Sequence, residues 1–171
     1  MVGDVAGVTF VDDSLSTNVL PTLAALDAFG GRRVALIVGG HDRGIDYAPL
    51  AAGLGGRAAP TLVLTLPASG HRIRAEIESA IRTPAPGNGR GRASGDGPPP
   101  AAASGTDAPC GVAGVVDCDD LDMAVARGFG WARPDGVVLL SPAAPSFGRF
   151  RDYRDRGDAF TRAMHACRAL A

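Results

Sequence analysis

The sequence lacks the segments that would direct it to a membrane or out of the cell. No apolar run approaches the roughly 20 residues of a membrane-spanning helix, and the N-terminus has no basic-then-apolar signal pattern. The three cysteines form no CxxC pair, and their odd number favours a reducing compartment over a disulfide framework. A net charge of −1 provides no basic surface for nucleic acid. We therefore expect a cytoplasmic protein with neither a nucleic-acid partner nor a membrane insertion.

Several motifs that are typical of nucleotide-binding, hydrolase and metal sites are also missing. The glycine-rich stretch "GGHDRG" is not GxGxxG, and no GxxxxGK[ST] occurs, so the chain lacks the usual loop that cradles a nucleotide triphosphate. No GxSxG motif indicates a hydrolase, and no spacing of His, Cys and Asp indicates a metal site. His41 lies in the glycine turn and could face a ligand, whereas His71 and His165 are expected at the surface.

Five continuous apolar runs, separated by helical patterns, dominate what is present. Continuous rather than alternating apolar runs are typical of strands buried on both faces, as in parallel sheets. The alternation of strand and helix predicts one α/β domain with crossover connections. The predicted strands are residues 7–13, 33–40, 61–67, 112–118 and 136–142, and the predicted helices are residues 19–29, 47–54, 69–81, 119–129 and about 149–170.

A low-complexity segment interrupts this alternation. Between Ile81 and Val112 there is no Val, Leu, Ile, Met or aromatic residue, so the segment cannot bury enough apolar surface to offset its ordering entropy. We expect residues 83–109 to be a disordered insertion that can be shortened at little cost. Residues 1–82 and 110–171 would then form the domain.

Three polar clusters follow predicted strands, at residues 12–18 ("DDSLSTN"), 39–44 ("GGHDRG") and 141–146 ("SPAAPS"). Ligands of open α/β sheets bind beyond the carboxyl ends of the strands, so the three loops are expected to converge on one rim. Each cluster has a simpler structural explanation. Thr17 or Asn18 could cap a helix, Ser141 or Ser146 could cap the last one, and Arg43 could be an ordinary surface charge.

Taken together, three stretches of the sequence resemble the C-terminal domain of the Mur ligases. They are "DSLSTN", "GGHDRGIDYAPL" and "LLSPAAPSFGRFRDYRDRGDAF", and the resemblance covers nearly the whole chain outside the insertion. It is strongest to the branch that adds glutamate to UDP-N-acetylmuramoyl-L-alanine. It implies a Rossmann-like, mostly parallel sheet with helices on both faces.

The resemblance also implies a reaction and two missing domains. Mur ligases use ATP to phosphorylate a carboxylate, and the amine of the incoming amino acid then attacks the acyl phosphate. ATP and Mg²⁺ are bound mainly by a central domain, and the UDP-sugar by an N-terminal one. Both domains are absent from this sequence, so we expect a fragment that folds but does not catalyse by itself.

Site residues follow from the motif positions that this sequence shares with the family. None is expected to be catalytic or to bind a metal, and the surplus polar residues of the first cluster are expected to serve both ATP and glutamate. Leu15 replaces a common lysine and Pro145 replaces a small residue, which puts the contacts beside them in doubt. The residues implied for glutamate are Thr17, Arg43, Ser146, Phe147 and Tyr153, and those implied for ATP are Asp13 and Asn18.

Alternatives remain open at this point. The chain could be the third domain of a folylpolyglutamate-type amide ligase, or a stand-alone, non-catalytic binding module. Within the glutamate-adding branch, the sequence favours neither D- nor L-glutamate.

Overall fold

The computed structural model describes residues 1–82 and 111–171. The predicted disordered insertion, residues 83–109, therefore lies outside the described residues, as does Cys110.

A six-stranded sheet forms the centre of the described chain. Its order is β1-β2-β6-β3-β4-β5, with β1 antiparallel to β2 and every other pair parallel. The five predicted strands are confirmed, but β1, which is only three residues long, was not predicted. The strands are β1 (Gly3–Val5), β2 (Val8–Asp12), β3 (Val34–Val38), β4 (Thr61–Thr65), β5 (Val112–Asp117) and β6 (Val137–Leu140).

Five helices cover the two faces of the sheet, as the helical patterns predicted. The last one begins later than expected, because Asp152 is its N-cap and accepts a hydrogen bond from the Asp155 amide at 2.9 Å. The helices are α1 (Val19–Asp27), α2 (Ala48–Gly55), α3 (Gly70–Arg82), α4 (Leu121–Ala132) and α5 (Tyr153–Ala166), followed by a 3₁₀ turn at Cys167–Leu170. The interpretation of Ser141 or Ser146 as the cap of this helix is wrong.

The strands are buried on both faces, which explains their continuous apolar runs. In β3, Leu36 packs in the core beneath α1, α2 and α3, and the next residue, Ile37, packs in the core beneath α4 and α5. All five residues of β3 have no exposed surface. The prediction of an α/β fold with a mostly parallel sheet and helices on both faces is confirmed.

At strand β6, in the middle of the sheet, the helix that follows the strand changes from one face of the sheet to the other. Strand β6 lies between β2 and β3, whose following helices cover one face, whereas the helix after β6 covers the other. Loops that leave neighbouring strands toward opposite faces open a crevice at the carboxyl ends of those strands. Ligands of open α/β sheets bind in such crevices.

No helix within residues 1–82 and 111–171 is long and apolar enough to cross a membrane.

Candidate functional site

Three loops meet at the carboxyl ends of β2, β3 and β6, as the polar clusters predicted. We name them the β2 loop (residues 13–18), the β3 loop (residues 39–47) and the β6 loop (residues 141–152). In the β3 loop, the Gly39 amide donates to the Pro142 carbonyl at 2.8 Å, and the His41 amide donates to the Pro145 carbonyl at 2.9 Å. These bonds join the β3 loop directly to the β6 loop.

A network of short polar side chains builds the β2 loop. The Ser14 hydroxyl and amide both donate to Asp12, and the Ser16 hydroxyl donates to Asp13. Ser14 and Ser16 are each only 4% exposed. The Ser141 hydroxyl of the β6 loop donates to Asp13 Oδ2 at 2.7 Å. The surplus of polar residues therefore serves partly to hold the loop itself, which corrects the expectation that Ser14 and Ser16 serve ligands.

The exposed residues of the β2 loop are Leu15, Thr17 and Asn18. Asn18 is the N-cap of α1, and its Oδ1 accepts a hydrogen bond from the Val19 amide at 2.7 Å. The capping interpretation therefore holds for Asn18 and not for Thr17. Within the described parts of the chain, the Thr17 hydroxyl has no hydrogen-bond partner, so it is available to a ligand.

The β3 loop is organised around Asp42. Its Oδ1 accepts from the Gly44 amide at 2.9 Å and from Arg72 Nη1, on α3, at 2.6 Å. The hydrogen bond from the Gly44 amide, helped by the Arg72 guanidinium, lowers the pKa of Asp42. Arg43 lies between Asp42 and Gly44 in the sequence and is exposed. It forms no ion pair or hydrogen bond with residues 1–82 or 111–171. It is a cation that a ligand can reach.

Tyr47 closes the β3 loop where α2 begins. Its side chain is 1% exposed, and its hydroxyl has no partner among the described residues. Burial raises the pKa of this phenol. The Arg72 guanidinium stands 5.6 Å from the centre of the Tyr47 ring, so one arginine contacts both ends of the loop.

Arg156 is a residue that the sequence analysis missed. This side chain of α5 is 1% exposed and donates to the Ser14 carbonyl at 2.8 Å and to the Ala144 carbonyl at 3.1 Å. Burial lowers its pKa to about 10, against the opposing attraction of Asp12, so the guanidinium is charged at neutral pH. The Arg156 side chain therefore joins the β2 loop to the β6 loop on the buried side of both loops.

A signal for Arg156 was present in the sequence. It lies four residues before Phe160 and eight before Met164, which both face the core, so it occupies a position on the buried stripe of α5. An arginine on such a stripe is buried, and a buried guanidinium must donate its hydrogen bonds to buried acceptors. The next residue, Gly157, lies against Asp12, because a Cβ built there would stand 2.4 Å from Asp12 Oδ2.

A pocket of about 150 Å³ opens between the β3 loop, the segment after β4 and the β6 loop. A cavity on the order of 150 Å³ can hold a benzene-sized molecule. Two of the residues implied for glutamate line it, Ser146 and Phe147, and Arg156 contributes to its wall. The other lining residues are Gly39, Gly40, His41, Leu66, Pro67, Ala68, Gly148, Arg149 and Phe150.

The remaining predicted residues lie outside this pocket. Thr17 and Arg43 stand on the β2 and β3 loops beside it. Tyr153 lies in the first turn of α5, is 38% exposed, and accepts a hydrogen bond from Arg154 Nε at 3.1 Å. The structure thus places Ser146 and Phe147 in one pocket, and Tyr153 does not line it.

Comparison with known proteins extends these observations. No family model matches the chain. A UDP-N-acetylmuramoyl-L-alanine–L-glutamate ligase of a Micromonospora species is 40% identical over 95% of the chain. Ligases of the same name from Xanthomonas euvesicatoria and Salinispora tropica are each 38% identical over 94% of it. The chain is related by sequence to the glutamate-adding Mur ligases. It spans only 28–29% of the length of these relatives.

Proposed function

We propose that this chain is the amino-acid-binding part of an ATP-dependent Mur ligase that joins L-glutamate to UDP-N-acetylmuramoyl-L-alanine in peptidoglycan synthesis. The observation that carries the proposal is the 38–40% identity, over 94–95% of the chain, to ligases named for that reaction. Because the chain spans under a third of those ligases, the ATP-binding and UDP-sugar-binding parts would come from other domains.

The site's charges fit an amino acid with two carboxylates. Arg43 offers a guanidinium on the β3 loop that pairs with no group in residues 1–82 and 111–171, and such a planar group can bind a carboxylate through two parallel hydrogen bonds. Thr17 and Ser146 offer hydroxyls on the neighbouring loops, and Phe147 offers an apolar wall. The chain has 17 arginines and no lysine, so each of these positive charges, that of Arg43 included, is a planar guanidinium.

In the proposed reaction, this domain positions the nucleophile. The carboxylate of UDP-N-acetylmuramoyl-L-alanine takes the γ-phosphoryl group of ATP, which releases ADP. The glutamate amine then attacks the acyl carbon, loses a proton, and expels inorganic phosphate to leave an amide. Holding the amine against the acyl carbon can remove several kcal/mol from the barrier, and the chain's contribution would be that orientation.

The nucleotide contacts of this chain would be minor ones. Asp13 keeps Oδ1 free of partners in the described residues, and Asn18 keeps its amide nitrogen free, so both can contact ATP. Within residues 1–82 and 111–171, no group of three or more His, Cys, Asp or Glu side chains comes together. Following the resemblance to the Mur ligases, we assign Mg²⁺ and the phosphates of ATP mainly to the central domain.

A chimeric ligase tests the proposal. The matched segment of the Micromonospora relative is replaced by this chain, and phosphate release is measured with ATP, the UDP-sugar substrate and either glutamate isomer. We expect turnover that requires L-glutamate and is lost in the Arg43→Ala chimera. A folded chimera that released phosphate with D-glutamate in preference to L-glutamate, or with neither isomer, would refute the proposal.

A further inference from the structure

We propose that Arg72 is a positioning residue: through Asp42 and Ile45 it clamps the β3 loop and so fixes the direction in which Arg43 meets its ligand. The inference rests on the proposed function, in which Arg43 holds a glutamate carboxylate. It goes beyond that function by assigning a role to a residue on α3 that lies outside the three polar loops.

Two contacts of Arg72 flank Arg43 on both sides. Arg72 Nη1 donates to Asp42 Oδ1 at 2.6 Å, and Arg72 Nη2 donates to the Ile45 carbonyl at 3.2 Å. Asp42 precedes Arg43 directly, and Ile45 follows it by two residues. One guanidinium therefore spans the stretch of backbone that presents Arg43.

The two ends of the loop are held by the His41 amide, which donates to Pro145, and by the buried Tyr47, but the residues around Arg43 have few other contacts. Gly44 has a φ of +71°, and a Cβ built on it would meet no atom within 4 Å, so the turn that follows Arg43 stands in open space. His41, Arg43, Gly44 and Asp46 are exposed. The Ile45 side chain packs against the core and holds the far end of this stretch, so the residues between His41 and Ile45 depend mainly on the polar contacts of Asp42 and of the Ile45 carbonyl.

Arg72 is itself held in place by Tyr47. The guanidinium lies 5.6 Å from the centre of this buried ring, within the range of a cation–π contact. A planar guanidinium can reach two acceptors at once, whereas the point charge of a lysine reaches one at a time. The arrangement therefore requires an arginine at position 72.

The ion pair between Asp42 and Arg72 also balances the charge next to Arg43. The Asp42 carboxylate is adjacent in sequence to the cation that would bind an anionic ligand. Left alone, it would attract the Arg43 guanidinium and repel a glutamate carboxylate. The Arg72 guanidinium neutralises it at 2.6 Å, which leaves Arg43 free for the ligand.

The test compares variants of the ¹⁵N-labelled chain by NMR. Arg72→Met removes the clamp and keeps an apolar stem over Tyr47, and Arg72→Lys keeps the charge. Arg74→Met is the matched control, because Arg74 lies two residues along α3 and pairs with Glu78 and Asp117 instead of the loop. Each variant is measured for hydrogen exchange at the Gly44 amide, affinity for L-glutamate and melting temperature.

We expect Arg72→Met to accelerate exchange at Gly44 and to weaken L-glutamate binding by about 10- to 100-fold, the scale of a misplaced binding group. Arg72→Lys should recover part of the affinity, and Arg74→Met should change neither quantity. The melting temperatures of the two Met variants should agree within a few degrees.

Two results would overturn the inference. In one, Gly44 exchange in Arg72→Met equals that of the wild type. In the other, exchange accelerates but L-glutamate affinity stays unchanged. A wild-type chain that bound no glutamate would instead count against the proposed function, and Gly44 exchange would still decide whether Arg72 clamps the loop.

Discussion

At the scale of single residues, two arginines of the site carry their charge in opposite surroundings. Arg43 is exposed and has no partner in the described parts of the chain, whereas Arg156 is 1% exposed and bound to two carbonyls. An exposed, unpaired cation costs the fold little and is available to a ligand. A buried cation must be held by several acceptors, so it supports the loops. Replacing Arg43 should therefore weaken ligand binding, whereas replacing Arg156 should lower stability.

Replacing Arg43 should affect ligand binding. In the chimeric ligase, Arg43→Ala should raise the KM for glutamate by roughly 10- to 150-fold, because a hydrogen bond to a charged group contributes about 1.5–3 kcal/mol. The KM for ATP should change much less, and Arg43→Lys should lie in between. Steady-state kinetics with each substrate varied in turn measures this. A larger change in the ATP constant would place Arg43 at the nucleotide instead.

Replacing Arg156 should affect stability. Arg156→Met leaves the carbonyls of Ser14 and Ala144 buried without their donor, and each such loss costs about 1–3 kcal/mol. We expect the free energy of unfolding to fall by about 3 kcal/mol in urea denaturation. Arg149→Met is the comparison, since Arg149 is exposed. Equal stability of the two variants would show that Arg156 does not tie the loops together.

At the scale of elements, α5 approaches β2 closely enough to require a glycine. A Cβ at Gly157 would stand 2.4 Å from Asp12 Oδ2, whereas one at Gly130, on α4, would meet nothing within 4 Å. Overpacking costs about 1–3 kcal/mol, and alanine gains roughly 1 kcal/mol over glycine inside a helix. Gly157→Ala should therefore lower the melting temperature and Gly130→Ala should raise it. A stabilising Gly157→Ala would contradict the packing of α5 on β2.

The β3 loop should respond to acid. The lowered pKa of Asp42 means that the folded loop favours the carboxylate, so this contribution is complete above the usual carboxyl pKa of 3.8 and is lost as the pH falls through the lowered value. The Gly44 amide resonance should titrate with a midpoint below 3.8. It should not titrate in Asp42→Asn, whose side-chain oxygen can still accept from Gly44. A midpoint above 3.8 would argue against the Asp42–Arg72 pair.

Elements whose pattern repeats over several residues could be predicted from the sequence, and single side chains could not. The run of β3 revealed a strand buried on both faces, and the polar clusters revealed which loops meet. Strand β1 was not predicted, because three residues are too few to show a hydrophobic pattern. Arg156 was marked by its place on the buried stripe of α5, but the sequence does not show which carbonyls it reaches. Arg72 had no such mark, because only the packing of α3 shows that its guanidinium reaches a loop.

At the scale of the whole molecule, the site lies on one edge of the three layers that the described residues form. The cores on the two faces of the sheet are formed from buried aliphatic and aromatic side chains, so we expect the chain to fold without a ligand. The sequence nevertheless contains no phosphate-binding GxxxxGK[ST] loop. We expect a purified chain to melt cooperatively and to release no phosphate from ATP with glutamate and the UDP-sugar substrate. Turnover in that assay would mean that the chain catalyses the reaction without a central domain.

We propose that the crevice beside β6 binds glutamate and distinguishes its isomers. Inverting the α-carbon swaps two of the directions in which the amine and carboxylates point, and a displacement of about 1 Å can cost roughly 100-fold in rate. The most direct measurement is an NMR titration of the ¹⁵N-labelled chain with L-glutamate and with D-glutamate. We predict shifts of the amides of Thr17, Arg43 and Ser146, with tighter binding of the L-isomer. Shifts confined to other surfaces, or equal affinity for the two isomers, would contradict the account.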